Sequence, residues 1–487
     1  MILNVKMAPD PRLVLTVVGL VAALQTACTD DSAVAGSKTA SSADGASLDS
    51  TGFQGADTSD AVAGADSKGA DAALDAGVDA EPIDTADFET ASHTALPQLV
   101  FGGEAILQHP HVVTVTFDGD PYRAQIEAYN SKLLNLQWWS AVTAGYCDAA
   151  GKCIESGDSA VVHLAEKPAM SYTDSTVVGK AATLQDFIKS HIDQQDLPAP
   201  ATDTLYVLYF PNTTKLTLSE GGGQSAQSCQ AFGGYHHSML YQGKPIAYAV
   251  VPECSGGGGG QGSGLSKVET FLFAGSHEII EAATDPYFVQ VQGGEMPGGY
   301  NLNTTDYNVI PWMLAFGGGE TADLCPYIPG TDLTYADENG QIVARSWSNL
   351  AAKGSHNPCV PAPPGPYFNL APEKKGTHFK LAVDDTYSFV AHAFSDIPTK
   401  GWSVQGADLN SMYGGPALLE ITFGDNNAQD AKINNGDVLT VNVTRYDGNS
   451  ATGFPGVVGF LVSTGADGSS HVWPFWTYTK SECPYCP

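Results

Sequence analysis

The sequence predicts an α+β protein in which a disulfide-stapled α/β domain is followed by an antiparallel β-sandwich. Three observations predict it. Strand-like and helix-like apolar periodicities alternate between residues 96 and 360. Beyond the proline-rich stretch 358–368, strand patterns recur with turn signals and no helical pattern between them. Apart from Cys28, eight cysteines are spread over both parts. A chain of 487 residues with 43% apolar content is long enough for two or three domains with real cores.

Residues 1–28 carry Lys6 and Arg12, an apolar run from Leu13 to Leu24, and Gln25-Thr26-Ala27-Cys28. This is a basic region, a short hydrophobic region and a small-residue cleavage site, hence an export signal too short to span a membrane stably. A cysteine directly after the site looks like a bacterial lipobox, although Leu24 stands four positions before Cys28 and Gln25 occupies the usual leucine position. Lipidation of Cys28 would anchor the chain without a spanning helix; plain secretion is the alternative.

Residues 29–95 are expected to form a disordered tether. Between Thr29 and His93 there are twelve Asp and two Glu against Lys38 and Lys68, with Phe53 and Phe88 as the only aromatics. Such a segment cannot bury enough apolar surface to offset its ordering entropy. The net charge of the chain, -31, argues against nucleic acid and anionic membrane surfaces as partners. Membrane contact is expected through the lipid alone.

The domain 96–360 opens with a strand, 112–117 (VVTVTF), and a helix in which Tyr122, Ile126, Tyr129, Leu133 and Leu136 recur at helical spacing. A second helix spans 183–192 and is followed by strands at 204–210 (TLYVLYF) and 246–251. The glycine-rich run 255–264 lacks the Gly-Lys-Ser/Thr end of a phosphate loop and reads as a flexible connector. Ser266-Lys267-Val268-Glu269 is a capping box, so a helix begins there. It runs to about Thr284, because Asp285-Pro286 ends it.

That helix carries His277-Glu278-Ile279-Ile280-Glu281, one residue away from the HE-x-x-H of zinc proteases. Residues i and i+4 share a helix face, so His277 and Glu281 can reach one ion. Glu278 then stands where such proteases place the general base. Zinc accepts carboxylate oxygen as well as imidazole, though oxygen ligands also admit calcium or manganese. Further ligands are offered by Glu320 and Asp323 in Glu320-Thr-Ala-Asp323-Leu-Cys325. His236 and His237 are other candidates, expected to be a surface pair, and His109 and His111 are expected to pack or face solvent. Solvated glutamates and a satisfied histidine on an ordinary helix are the alternative to any metal. Serine catalysis has less behind it, since no G-x-S-x-G occurs.

Taken together, Ser276-His277-Glu278-Ile279-Ile280-Glu281-Ala282-Ala283-Thr284-Asp285-Pro286 and Glu320-Thr-Ala-Asp323-Leu-Cys325 resemble the S-H-E-[LI]-x-E-A-x-[TS]-[DN]-P and E-[IV]-G-D-x-C motifs of the EXORDIUM, or phosphate-induced, protein family and its bacterial relatives. Cys229 to Cys254, with Tyr235-His236-His237 and Ala247-Tyr248-Ala249-Val250, is similar to another segment of that family. The resemblance covers about 96–360 and implies a zincin-like metallopeptidase domain. It implies that His277, Glu281 and Glu320 or Asp323 bind Zn2+ and that Glu278 is the base. Ala322 stands where the family has glycine.

An even set of cysteines in an exported chain implies disulfides. Neighbour pairing is simplest: Cys147 with Cys153, Cys229 with Cys254, Cys325 with Cys359, and Cys483 with Cys486. The terminal C-x-x-C is expected to be a closing staple rather than a redox site, since no thioredoxin-like unit surrounds it. In 361–487 strands are expected at 379–383, 387–393, 417–423, 438–445, 457–462 and 471–476. The functional expectation is an exported cell-envelope metallopeptidase acting on peptide or protein. Its rival is a non-catalytic surface protein that binds wall polymer or protein and keeps a structural metal.

Overall fold

The computed structural model describes residues 88–487 apart from 104, 176–179, 220–224, 255–264, 288–289, 292–293, 296–297, 326–333, 413, 449–454, 485 and 487. Cys28, the export signal, the tether up to residue 87 and the glycine-rich connector lie outside the described residues.

The first part is mixed α/β around a five-stranded sheet. Its strands are β1 (His111–Phe117), β2 (Asp158–Leu164), β3 (Thr204–Phe210), β4 (Tyr235–Tyr241) and β5 (Lys244–Pro252), and their order is β2-β1-β3-β5-β4. All neighbours are parallel except β4, which runs antiparallel to β5 at one edge. Every residue of β3 is buried, as in strands covered on both faces. The period of two then sends Leu205, Val207 and Tyr209 into one core and Tyr206, Leu208 and Phe210 into another. Helices α1 (Arg123–Leu133) and α3 (Lys267–Thr284) close the first core, with Ile126, Tyr129, Leu133, Ile279 and Ile280. Helix α2 (Thr183–Asp193) closes the second with Leu184, Ile188 and Ile192.

The predicted 122–136 helix is interrupted. α1 ends at Leu133 and a separate helix, Gln137–Val142, buries Trp138 and Trp139. Helix α3 begins at the predicted capping box: Ser266 Oγ accepts from the Glu269 amide at 3.4 Å, and Glu269 Oε2 accepts from the Ser266 amide at 2.7 Å. Asp285, forced out of helical geometry before a proline, stops it at φ -143° and ψ 72°.

The second part has two sheets. Strands β6 (Phe368–Pro372), β8 (Thr386–Ser395), β10 (Leu419–Phe423) and β12 (Val438–Arg445) form one antiparallel sheet in the order β6-β8-β12-β10. The other contains β7 (His378–Lys380), β9 (Trp402–Asp408), β11 (Asp430–Ile433), β13 (Val457–Thr464) and β14 (Ser470–Tyr478) in the order β7-β14-β13-β9-β11. It is antiparallel except where β7 joins β14 in parallel. β6, β9 and β11 were not expected, and the absence of helix is corrected by two short ones, Lys374–Thr377 and Leu409–Met412. Each is a single turn, too short to leave an apolar period in the sequence.

Several contacts tie the parts, among them the Thr377 hydroxyl donating to Asn308 Oδ1 at 2.9 Å and the Tyr307 ring beside His378 at 5.6 Å. Trp312, in α4 (Ile310–Phe316), meets Trp347 edge-on at 5.3 Å between ring centroids and Trp473 at 5.5 Å. The tail of the expected tether, 88–95, is also ordered against the second part: His93 stacks on Phe394 at 3.5 Å, and the Ala91 amide donates to Asn435 Oδ1 at 3.0 Å. The acidic composition upstream gives no sign of this docking.

Four disulfides join Cys147 to Cys153, Cys229 to Cys254, Cys325 to Cys359 and Cys483 to Cys486. Bridges at this density fit an oxidising, extracellular setting.

Candidate metal centre

Helix α3 is buried around nearly its whole circumference from Phe271 to Thr284, so its polar side chains must meet protein. Gly275 lets the helix approach β3, since an added Cβ would overlap the Tyr209 hydroxyl. The helix end is pinned as well. Asp285 Oδ1 accepts from the Gly299 amide at 2.6 Å, and the Thr284 and Thr321 hydroxyls meet at 3.1 Å. Thr321 belongs to the segment carrying Glu320 and Asp323, which Cys325 ties to Cys359. The Trp347 amide fixes the same segment by donating to Thr321 O at 2.7 Å.

On the face of α3 toward that segment, His277 Nε2 lies 3.1 Å from Glu281 Oε2, one turn on, and 3.7 Å from Asp323 Oδ1. Glu281 Oε1 accepts from the Ala322 amide at 3.2 Å. An alanine at 322 therefore serves where the resembled motif has glycine, because the backbone makes the contact. Asp323 Oδ2 accepts from the Glu320 amide at 3.1 Å, and Gly318 is needed beside it, since a Cβ there would overlap that carboxylate.

The paired histidines require a correction. They are not a surface pair: His236 is 6% exposed and His237 4%. Both lie on β4, whose period of two sends them to opposite faces. His237 faces Tyr248, with ring centroids 5.9 Å apart. On that side Asp174 Oδ2 accepts from the Tyr235 and Tyr248 hydroxyls at 2.7 Å each, which fixes β4 to β5. His236 instead points at α3. Its Nδ1 is 3.6 Å from Glu278 Oε2 and 3.7 Å from Glu281 Oε2, while its Nε2 is 3.8 Å from Glu320 Oε2 and 3.1 Å from the Asp285 carbonyl. Gly234 makes room for Glu278, because a Cβ there would stand 2.6 Å from its Oε1.

A signal for β4 was present. Gln242 and Gly243, both at positive φ (49° and 79°), form a two-residue hairpin turn into the expected β5. Working back from that turn makes Tyr235–Tyr241 the partner strand. His109 is exposed, whereas His111 opens β1 and pairs with Asp158.

Two groups of donors thus converge, His236–Glu278–Glu281 and His277–Glu281–Asp323, each able to hold a metal ion. Glu320 faces His236 and belongs to neither group. Among the described residues, every ion pair of these four carboxylates is with histidine, none with lysine or arginine. Burial first, and neighbouring carboxylates second, push Glu281 and Glu320 well above the usual range. Burial likewise raises Glu278 to about 7, and it lowers His236 and His237 to about 4. The His236 imidazole is therefore a neutral lone-pair donor, and the carboxyls lack compensating positive charge. Borderline donors of this kind fit zinc, and the carboxylate oxygens also suit manganese or calcium.

No known family's sequence profile matches the chain, and no curated protein does. The similar solved structures are distant. The adhesin InvE of Yersinia pseudotuberculosis is 14% identical over 29% of this chain and 36% of its own, at a TM-score of 0.16, so the chain spans about a third of its length. An extracellular fragment of EsaA from Streptococcus gallolyticus is 14% identical over 20% of this chain and 24% of its own, at 0.12. OgpA of Akkermansia muciniphila is 10% identical over 80% of this chain and 95% of its own, at 0.19. Backbone agreement this low transfers neither fold nor function.

Proposed function

We propose that the protein is an exported, metal-dependent peptidase with a zincin-like first domain and a C-terminal β-sandwich, anchored through Cys28 to the bacterial cell envelope. The resemblance to the EXORDIUM family belongs to the same reading. One observation carries it: His277 Nε2, Glu281 Oε2 and Asp323 Oδ1 converge beside the buried carboxyl of Glu278. His277, Glu281 and Asp323 would hold the ion. When bound, a zinc-type cation polarises a peptide carbonyl and acidifies a coordinated water. Glu278, raised to about 7, is suited to take a proton from water near neutral pH and return it to the leaving amine.

The test is a peptide-library digest by the wild type and Glu278→Gln, both loaded with zinc. Loss of roughly 10²–10⁴-fold in rate with the metal retained is expected. Equal cleavage by the two proteins would remove Glu278 from the mechanism.

A second reading, a non-catalytic module that binds wall polymer with a structural metal, is favoured by one feature. An open cavity of 330 Å³ in the second part is lined by Asp408, Glu420, Gln429 and Tyr446, a size that small ligands occupy. Binding without cleavage in the same digest would select it.

A further inference from the structure

We propose that the site takes a second divalent cation, held by His236 Nδ1, Glu278 Oε2 and Glu281 Oε2, and that this cation withdraws Glu278 from proton transfer. The inference rests on the proposed function, because it extends the same site.

The imidazole of His236 carries it. The Asp285 carbonyl 3.1 Å from Nε2 can only accept, so Nε2 holds the proton. In a neutral ring Nδ1 then presents a lone pair, and it faces Glu278 Oε2 at 3.6 Å and Glu281 Oε2 at 3.7 Å. Once the two carboxyls ionise, these three donors repel unless a cation stands among them. A metal-ligating histidine typically has its other ring nitrogen donating to a backbone carbonyl, which fixes its tautomer, and His236 has that arrangement. The strand geometry holds it there, since Asp174 secures Tyr235 and Tyr248 on the opposite face.

Charge points the same way. Once ionised, Glu278, Glu281, Glu320 and Asp323 would offer four negative charges with histidine as their only ion-pair partner among the described residues. One divalent cation neutralises half of that and two neutralise it all. Glu281 is common to both donor groups, so it would serve as a ligand to both ions. The second ion would hold Glu278 as a ligand through Oε2, lowering the basicity of its carboxylate and so withdrawing it from proton transfer. The one-cation form is therefore active and the two-cation form blocked, which makes excess cation an inhibitor.

The test titrates metal-free protein with zinc chloride by calorimetry and counts zinc after desalting, for the wild type, His236→Gln and His277→Ala, with circular dichroism confirming the fold of each. The expected result is two zinc ions per wild-type chain, the weaker one lost in His236→Gln and the tighter one in His277→Ala. One ion in the wild type, lost in His277→Ala and kept in His236→Gln, would overturn the second site and leave the proposed function standing. No ion at all would remove both. Because the wild-type count is decisive by itself, a variant that misfolds does not rescue the proposal.

Discussion

Two carboxylates in this chain are almost equally hidden from water, Asp408 at 1% exposure and Glu281 at 3%, and the fold treats them in opposite ways. Asp408, in the second part, accepts from the Ser411 amide at 2.9 Å, the Leu418 amide at 2.9 Å and the Leu419 amide at 3.2 Å. Those three donors close the chain between β9 and β10. Glu281 receives the Ala322 amide on one oxygen, turns the other toward two imidazoles, and is hydrogen-bonded to Glu320, itself an acid, with Asp323 and Glu278 adding negative charge nearby. A buried acid with its donors supplied holds a fold together; one without them costs stability until something positive arrives. The difference separates a carboxylate that holds a turn from a cluster able to take a cation, without appeal to any relative.

The contrast can be broken in several ways. Removing the cation should have the largest effect. A chelator applied to protein loaded at roughly a thousandfold above Kd should lower unfolding stability by about 4 kcal/mol, read by denaturant titration. The same treatment of His277→Ala should change it far less.

Asp408→Ala should follow, at about 3 kcal/mol of lost stability, because three amides lose their acceptor in a buried turn. Zinc stoichiometry should not move. A changed count would mean that the two regions are not separable.

The regions should also respond to pH with opposite signs. In the cation-free protein the carboxyls of Glu278, Glu281 and Glu320 bind protons more tightly folded than unfolded. Their contribution is thus complete below about pH 4.5 and is lost as pH rises through Glu278's value of about 7 and the raised values of Glu281 and Glu320. His471, packed against Tyr367 and Phe368, is lowered by burial to about 4 from 6.5. Its contribution is present above pH 6.5 and is lost as pH falls through about 4, up to about 3 kcal/mol. His236 and His237 act with the same sign as His471, so comparing His471→Asn with the wild type isolates the second region. Calorimetric melting across pH 4 to 8 tests both slopes, and parallel slopes would refute the contrast.

The smallest effect is inverted. Where pH is high enough to ionise its raised carboxyl, Glu281→Gln should stabilise the cation-free protein by about 1 kcal/mol, since it removes an uncompensated buried charge. It should also abolish tight zinc binding. Destabilisation instead would mean that Glu281 is already satisfied.

Much of the frame was legible in the sequence because the deciding forces are local. Ser266 and Glu269 cap α3 by their spacing, Asp285-Pro286 stops it, and TLYVLYF reads as an apolar strand. His236 was not legible as part of the site. YHHSMLY has neither an unbroken apolar run nor clean alternation, and which face a histidine occupies depends on pairing with β5, a contact the local pattern does not contain. The choice between Glu320 and Asp323 depended on a loop conformation held by Gly318, Thr321 and the Cys325 bridge. In the second part, β9 with its Gly406 and the four-residue β11 were too irregular to register, although β12 was read at its observed bounds.

The central claim, that the acids around α3 form a cation site, is tested most directly by crystals of protein purified without chelator and soaked in zinc, measured at the zinc absorption edge. The account predicts an anomalous peak bounded by His277 Nε2, Glu281 Oε2 and Asp323 Oδ1. An anomalous map empty there, with Glu281 and Asp323 in place, would contradict it.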